Sequence, residues 1–405
     1  MKKRTDIARL FAAATLIAAA SAAAGEPTAD YQFNDSLSSS ANKKKAPPLV
    51  LLASGNTYVT TTVDGVERQV LQFPLHAGLQ LQPTTKLVGN GDYTIAVLAG
   101  IDDISGRRRL VDFKSGTSDS GLYEVSGTLS FPPAANGSSP AAATPGEFHQ
   151  YVLTRNSSTG RLAGYLDGLP TFAVTDSGNL GVIGPENALR FFFDNTTDGT
   201  TGEDASGQVA RIRLFPAEMN SEAVAQLDWI PNGPQHASTV NYTYVPANTP
   251  LVFGDTVEWR FYDIAGHTVT DESGSGAFDS GYETKGGVFT QLFDAAGTYD
   301  YGCSFHSSMH GTVAVAMTGK PAEGSISTSF TLKWALAKAA SGFVYDVEIQ
   351  RPSDASFVAF RSGTSKNKVS FVPDAGPGTY QFRARRRSLT SGAIAYSPAL
   401  VIQVS

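Results

Sequence analysis

The sequence contains one cysteine, Cys303, in 405 residues, so no disulfide can form within the chain. Charge is also scarce: 17% of residues are charged, and 31 Lys and Arg against 37 Asp and Glu leave a net charge of −6. That balance excludes a general nucleic-acid or anionic-membrane binder, because phosphate neutralisation needs clustered Lys and Arg. The runs Lys43-Lys44-Lys45, Arg107-Arg108-Arg109 and Arg385-Arg386-Arg387 are short and scattered, and read as solvated surface. Beyond the first two dozen residues no apolar run is long enough to span a bilayer, so no membrane span is expected. Nucleophile elbows and Ser-His-Asp spacings are missing as well, and no enzymatic activity is expected.

Turn formers and strand formers are abundant. Forty glycines and 21 prolines separate short alternating apolar runs such as YTIAVLA and FVYDVEIQ, which predicts an all-β fold. The length asks for two or three domains. At the start, Lys2, Lys3, Arg4 and Arg9 lead into LFAAATLIAAASAAA, and Ala22 and Ala24 give a small-x-small pattern. Residues 1–24 therefore read as a signal peptide of bacterial character, and the remainder as an exported, periplasmic or extracellular protein.

A lone thiol in an oxidising compartment is a liability unless something occupies it, and a metal is one such occupant. In AGTYDYGCSFHSSMHGTVAVA the pattern Cys-x2-His-x2-Met sets Cys303, His306 and Met309 on one short loop, and His267 lies upstream in DIAGHTVTDESG. Thiolate, two imidazoles and a thioether make the His2Cys set with weak axial Met that suits copper. His310, next to Met309, competes for the fourth place, but neighbours on a strand point to opposite faces. His76, His149 and His236 stand alone in sequence and read as structural or exposed.

Residues 240–317 resemble the plastocyanin-like cupredoxins, through VPANTPLVFGDTVEWRF, HTVT, FDSGYETKGGVFTQLFDAAGTYDYGC and HSSMHGTV. The resemblance implies a Greek-key barrel over residues 238–318, with His267, Cys303 and His306 as equatorial ligands and Met309 as the axial one. The two-residue gap between His306 and Met309 is similar to the amicyanin branch. Many relatives carry Asn after the first ligand histidine to tie the ligand loops; here Thr268 stands in its place. Phe278, Phe289 and Phe293 read as core. Six histidines without a His-x-His pair are too few for the trinuclear centre of multicopper oxidases.

Upstream, DYQFNDSL, YTIAVLAG, EFHQYVLTRNSSTGRLAGYLDG and the closing LRFFFDNTTDGTTGEDASGQVARIRLFPAEMNSEAV resemble, in order, laminin-G and concanavalin-like jelly rolls, assigned to residues 25–232. Such domains commonly bind glycans or proteins, and some carry calcium at one rim. Asp194, Asn195, Asp198 and Glu203 supply hard oxygen ligands of that kind in a polar loop that otherwise reads as solvated. The spaced Glu-x-Asp-x-x-Glu carboxylates of jelly-roll glycosidases are missing. Residues 322–405 resemble a fibronectin type III sandwich, with Trp334 in the core and Tyr380 in the corner position. DWIPNGPQHAST and MTGKPAEGS read as linkers. Two functions fit these residues. One is an exported electron carrier with a redox partner protein; the other is an adhesion protein for a glycan or extracellular protein, in which copper is structural or stored.

Overall fold

The apolar alternation produces strands throughout, and the computed structural model describes residues 25–42, 44–89, 91–194 and 202–405. Residues 1–24, read from the sequence as a signal peptide, lie outside them. The protein is all-β, and among the described residues the one helix is the short Ser221–Ala225, capped by the Asn220 side chain. No helix among the described residues is long and apolar enough to cross a membrane. The chain divides at Gly233/Pro234 into two units.

In the first unit Tyr93–Ile101 is apolar on both faces and buried along its whole length, which requires cover on both sides. It lies inside an eight-stranded sheet between the antiparallel Phe148–Arg155 and Gly207–Phe215. One face meets a six-stranded sheet that includes Arg107–Asp112 and Leu189–Phe191, with Tyr93 stacked on Phe113 and Phe73 on Phe192. Over the other face Ala96 and Val152 pack under Val224 of the helix, and Leu98 and Val70 under Trp229 and Ile230. The segment DWIPNGPQHAST holds the boundary between the units, but only its middle serves as a linker. Its first apolar residues complete a core, and Gln235–Val240 is already a strand of the second unit.

The second unit holds two sandwiches. In one, the sheet Thr243–Val245, Gln235–Val240, Thr256–Phe261, Val288–Leu292 accompanies a second sheet of Asn248–Val252, His306–Ala316, Gly297–Cys303 and Thr270–Asp271. Trp259 is fully buried among Phe278, Phe289 and Phe293, and its indole N–H donates to the Tyr301 hydroxyl at 3.2 Å. The Phe residues assigned to the core are there, Phe289 at its partly buried edge. In the other sandwich Trp334 is buried, and Tyr380 turns a corner, accepting from Ala375 N–H at 2.8 Å and donating to the Gly376 carbonyl at 2.9 Å.

The second expected linker is also structured. Thr318–Lys320 and Glu323–Gly324 are strands of the last sandwich, because a register with Phe330–Lys333 and Leu400–Val404 satisfies their backbone groups. A seam joins the two sandwiches of this unit: Ala296 N–H donates to Trp334 O at 2.7 Å, Thr298 pairs with Ala395, and Ile394 belongs to the core built around Trp259. Gly297 is required beneath it, since a Cβ there would meet Ile394 Cδ1 at 2.2 Å. Ile394→Val should cost about 0.5–1.5 kcal/mol. Urea unfolding followed by Trp259 and Trp334 fluorescence checks this, with the expectation that both sandwiches shift together.

Candidate metal centre

His267 leaves the strand Thr256–Phe261 through a short loop and is fixed by reciprocal backbone bonds with Glu283, 2.8 and 2.9 Å. Cys303 ends Gly297–Cys303, and His306 opens His306–Ala316. The register slips between Gly302 and Cys303, so that Cys303 pairs with His306 while Gly302 pairs with His310. Such an irregularity re-aims side chains, and here it turns the thiol and the imidazole toward each other. Cys303 Sγ lies 3.4 Å from His306 Nδ1 and 3.9 Å from His267 Nδ1. The three donor atoms all fall within 4.8 Å of one another.

These separations suit one shared ion. Metal bonds of about 2.0 Å to nitrogen and about 2.3 Å to sulfur put N and S roughly 3.5–3.7 Å apart around a tetrahedral to trigonal centre. Met309 is buried at 1% exposure in the same core cluster as Cys303. Its neighbour His310 points to the opposite face, with a side chain 57% exposed and bonded to Glu272 at 2.9 Å. That hydrogen bond, with one to the Ser307 carbonyl, raises the His310 pKa above the ordinary imidazole value. The alternation argument thus leaves Met309 facing inward.

Supporting contacts fix the donors. Thr268 does the tethering: its Oγ1 accepts from Ser304 N–H at 2.9 Å, and its own N–H donates to Cys303 Sγ at 3.4 Å. The Tyr244 hydroxyl donates to the Thr268 carbonyl at 2.5 Å, fixing the backbone beside His267. Asp263 accepts from His267 Nε2–H at 3.0 Å and from the backbone N–H groups of Asn241 and Tyr242 at 2.8 and 3.0 Å. A proton held on Nε2 leaves the Nδ1 lone pair free toward the thiol. Burial lowers the His267 pKa, an effect that His306 reinforces and Asp263 opposes. Sequence reasoning did not single out Asp263 or Tyr244. The available signal was an acidic residue four places before the histidine.

The remaining histidines pair with single carboxylates: His76 with Asp204, His149 with Asp167 and His236 with Glu258. Of the residues assigned to calcium, Asn195 and Asp198 lie outside the described residues. Asp194 and Glu203 do converge, together with Asp119. Two guanidiniums stand among them: Arg107 reaches Asp119 and Glu203, each at 3.2 Å, and Arg109 reaches Asp194 at 3.2 Å and Asp119 at 3.1 Å. Arg109 is fully buried, with its guanidinium over the Tyr123 ring, so reading this arginine run as solvated surface is corrected. The strand is buried from this residue onward, and the surrounding carboxylates compensate its charge.

No protein-family model matches the chain, and no curated protein matches it. Among solved structures, the Cu(I) form of an amicyanin mutant aligns at 29% identity over 22% of this chain and 86% of that one, with a TM-score of 0.20. An oxidized amicyanin mutant aligns at 27% identity over 20% and 80%, with a TM-score of 0.19. Domain 4 of a GH43 extracellular arabinanase from Geobacillus stearothermophilus, in complex with arabinotriose, aligns at 15% identity over 49% of this chain and 96% of that one, with a TM-score of 0.39.

Proposed function

We propose that this protein is an exported carrier of single electrons, holding one copper ion on His267, Cys303, His306 and Met309. The supporting observation is the preorganised donor set, with both Nδ1 atoms turned to one thiol at 3.4 and 3.9 Å, and with Met309 buried in the same core cluster as Cys303. Bound copper would supply the one-electron chemistry, since sulfur donors suit Cu(I) and imidazoles suit both oxidation states. The chain's part is to hold geometry. Thr268 N–H disperses thiolate charge, Asp263 fixes one imidazole, and the strand pair carries the other ligands without rearrangement. His306, half-buried, follows the exposed Phe305, which packs edge-on against the exposed Tyr282 at 5.5 Å. An apolar rim of this kind at a ligand suits brief docking of a redox protein. In this proposal the flanking sandwiches hold the carrier to a glycan or an extracellular protein. Calcium has no part in it, because Arg107 and Arg109 already supply positive charge to the carboxylates.

A second reading, an adhesion protein with structural copper, is favoured by Cys303 and Met309 being members of the core cluster itself. Reconstitution with Cu(II) tests the first. An intense thiolate-to-copper band in the visible should form and vanish in Cys303→Ser, and reversible voltammetry should follow. A colourless wild type removes the copper site; a coloured protein that cannot be cycled leaves the structural reading.

A further inference from the structure

Val240 and Thr243 pair across a two-residue hairpin turn formed by Asn241 and Tyr242. Both residues have positive φ, 49° and 59°. The turn that demands this favours Asn followed by Gly, because a bulky side chain at positive φ is strained. Tyr242 nevertheless occupies the second place and leaves 52% of its surface in solvent, so neither turn chemistry nor burial accounts for it. Strain that persists at an exposed position points to a local task.

The Tyr242 ring stands edge-on to both ligand imidazoles, 4.9 Å from His306 and 5.5 Å from His267, and these two lie 4.8 Å from each other. The Tyr242 backbone N–H is bonded to Asp263, the carboxylate that holds His267. One carboxylate therefore locks the hairpin and the ligand in a single arrangement. His267 is fully buried, although its loop neighbour Ile264 is 85% exposed.

We infer that Tyr242 is a positioning and shielding residue of the metal centre: its ring closes the solvent side of the paired imidazoles and keeps small anionic ligands from the metal. This rests on the metal-site reading above. Glycine removes the ring while suiting the turn, so shielding and folding should respond in opposite directions.

The test compares full-length wild type, Tyr242→Gly and Tyr242→Phe. In the Cu(II)-loaded proteins, azide titration followed by absorption and electron paramagnetic resonance should show about tenfold tighter azide binding in Tyr242→Gly, with wild-type behaviour in Tyr242→Phe. In the metal-free proteins, diethyl pyrocarbonate should modify His267 and His306 several-fold faster in the glycine variant, while its urea midpoint stays level or rises. Unchanged azide affinity and unchanged histidine reactivity would overturn the shield, as would losses that merely track a fall in stability. If wild type takes up no copper, the metal reading fails, and the metal-free arm still decides whether Tyr242 covers the histidines.

Discussion

Asp263→Ala is expected to weaken the metal centre about 10- to 100-fold, the range for loss of a group that orients a ligand histidine. Three donors converge on this carboxylate: His267 Nε2–H, Asn241 N–H and Tyr242 N–H. Without it the imidazole can take the other tautomer, which places a proton on the nitrogen that faces Cys303 Sγ, and the hairpin carrying Tyr242 loses both backbone anchors. Asp263→Asn separates these effects. The amide offers one oxygen where the carboxylate uses both, so it keeps only part of these bonds, and a neutral acceptor holds Nε2–H less strongly than a carboxylate, so Asn should fall between wild type and Ala. Chelator competition on the full chain measures the affinities, with urea unfolding as the control for folding. Equal affinity in wild type and Asp263→Ala would show that backbone pairing with Glu283 alone fixes His267.

How much of this site could be read from the sequence follows from how local each contact is. Cys303, His306 and Met309 sit within seven positions on one strand turn, so their spacing already implies convergence. Thr268 was legible for the same reason, as the neighbour of His267. Tyr242 and Tyr244 were not, because their roles arise where a hairpin from another part of the sheet meets the ligand turn, whereas Asp263, four places before His267, carried a local signal that was passed over. Ile394 lies more than a hundred residues beyond Trp259, in whose core it belongs, and nothing in its surroundings in sequence indicates that. The linkers were drawn too long by composition. Polar, Pro-containing segments resemble loops, yet Trp229 and Ile230 find a core, and Thr318–Lys320 finds strand partners. Arg109 was misread because a run of like charges was taken as one surface feature, whereas its last member lies where the strand has passed from the rim into buried surroundings.

The same burial gives the first unit a pH dependence with a sign opposite to that of its ion pairs. Glu124, on Gly121–Val125, is fully buried; one carboxyl oxygen accepts from Gly127 N–H, and the other has no hydrogen-bond partner among the described residues. Burial pushes its pKa up to about 7 from an ordinary 4.5, against the opposing pull of the Gly127 N–H and Arg108. A carboxyl whose folded pKa is raised keeps its proton in the native state after the unfolded chain has lost it. Stability from this group is therefore fully present below the unfolded value and falls as pH rises through the folded one, a loss on the order of 3 kcal/mol by pH 8. Asp30 and Asp228, whose pKa values are lowered, stabilise in the opposite sense, but only on acidification below the ordinary carboxylate range, outside this window. Glu124→Gln removes the titration, so relative to wild type the variant should gain about 2–3 kcal/mol between pH 5 and pH 8. Denaturant unfolding of the full chain at the two pH values, followed through Trp229 in the first unit, measures that difference. A parallel pH dependence in wild type and variant would mean that Glu124 ionises freely in the native protein and that its buried environment is hydrated.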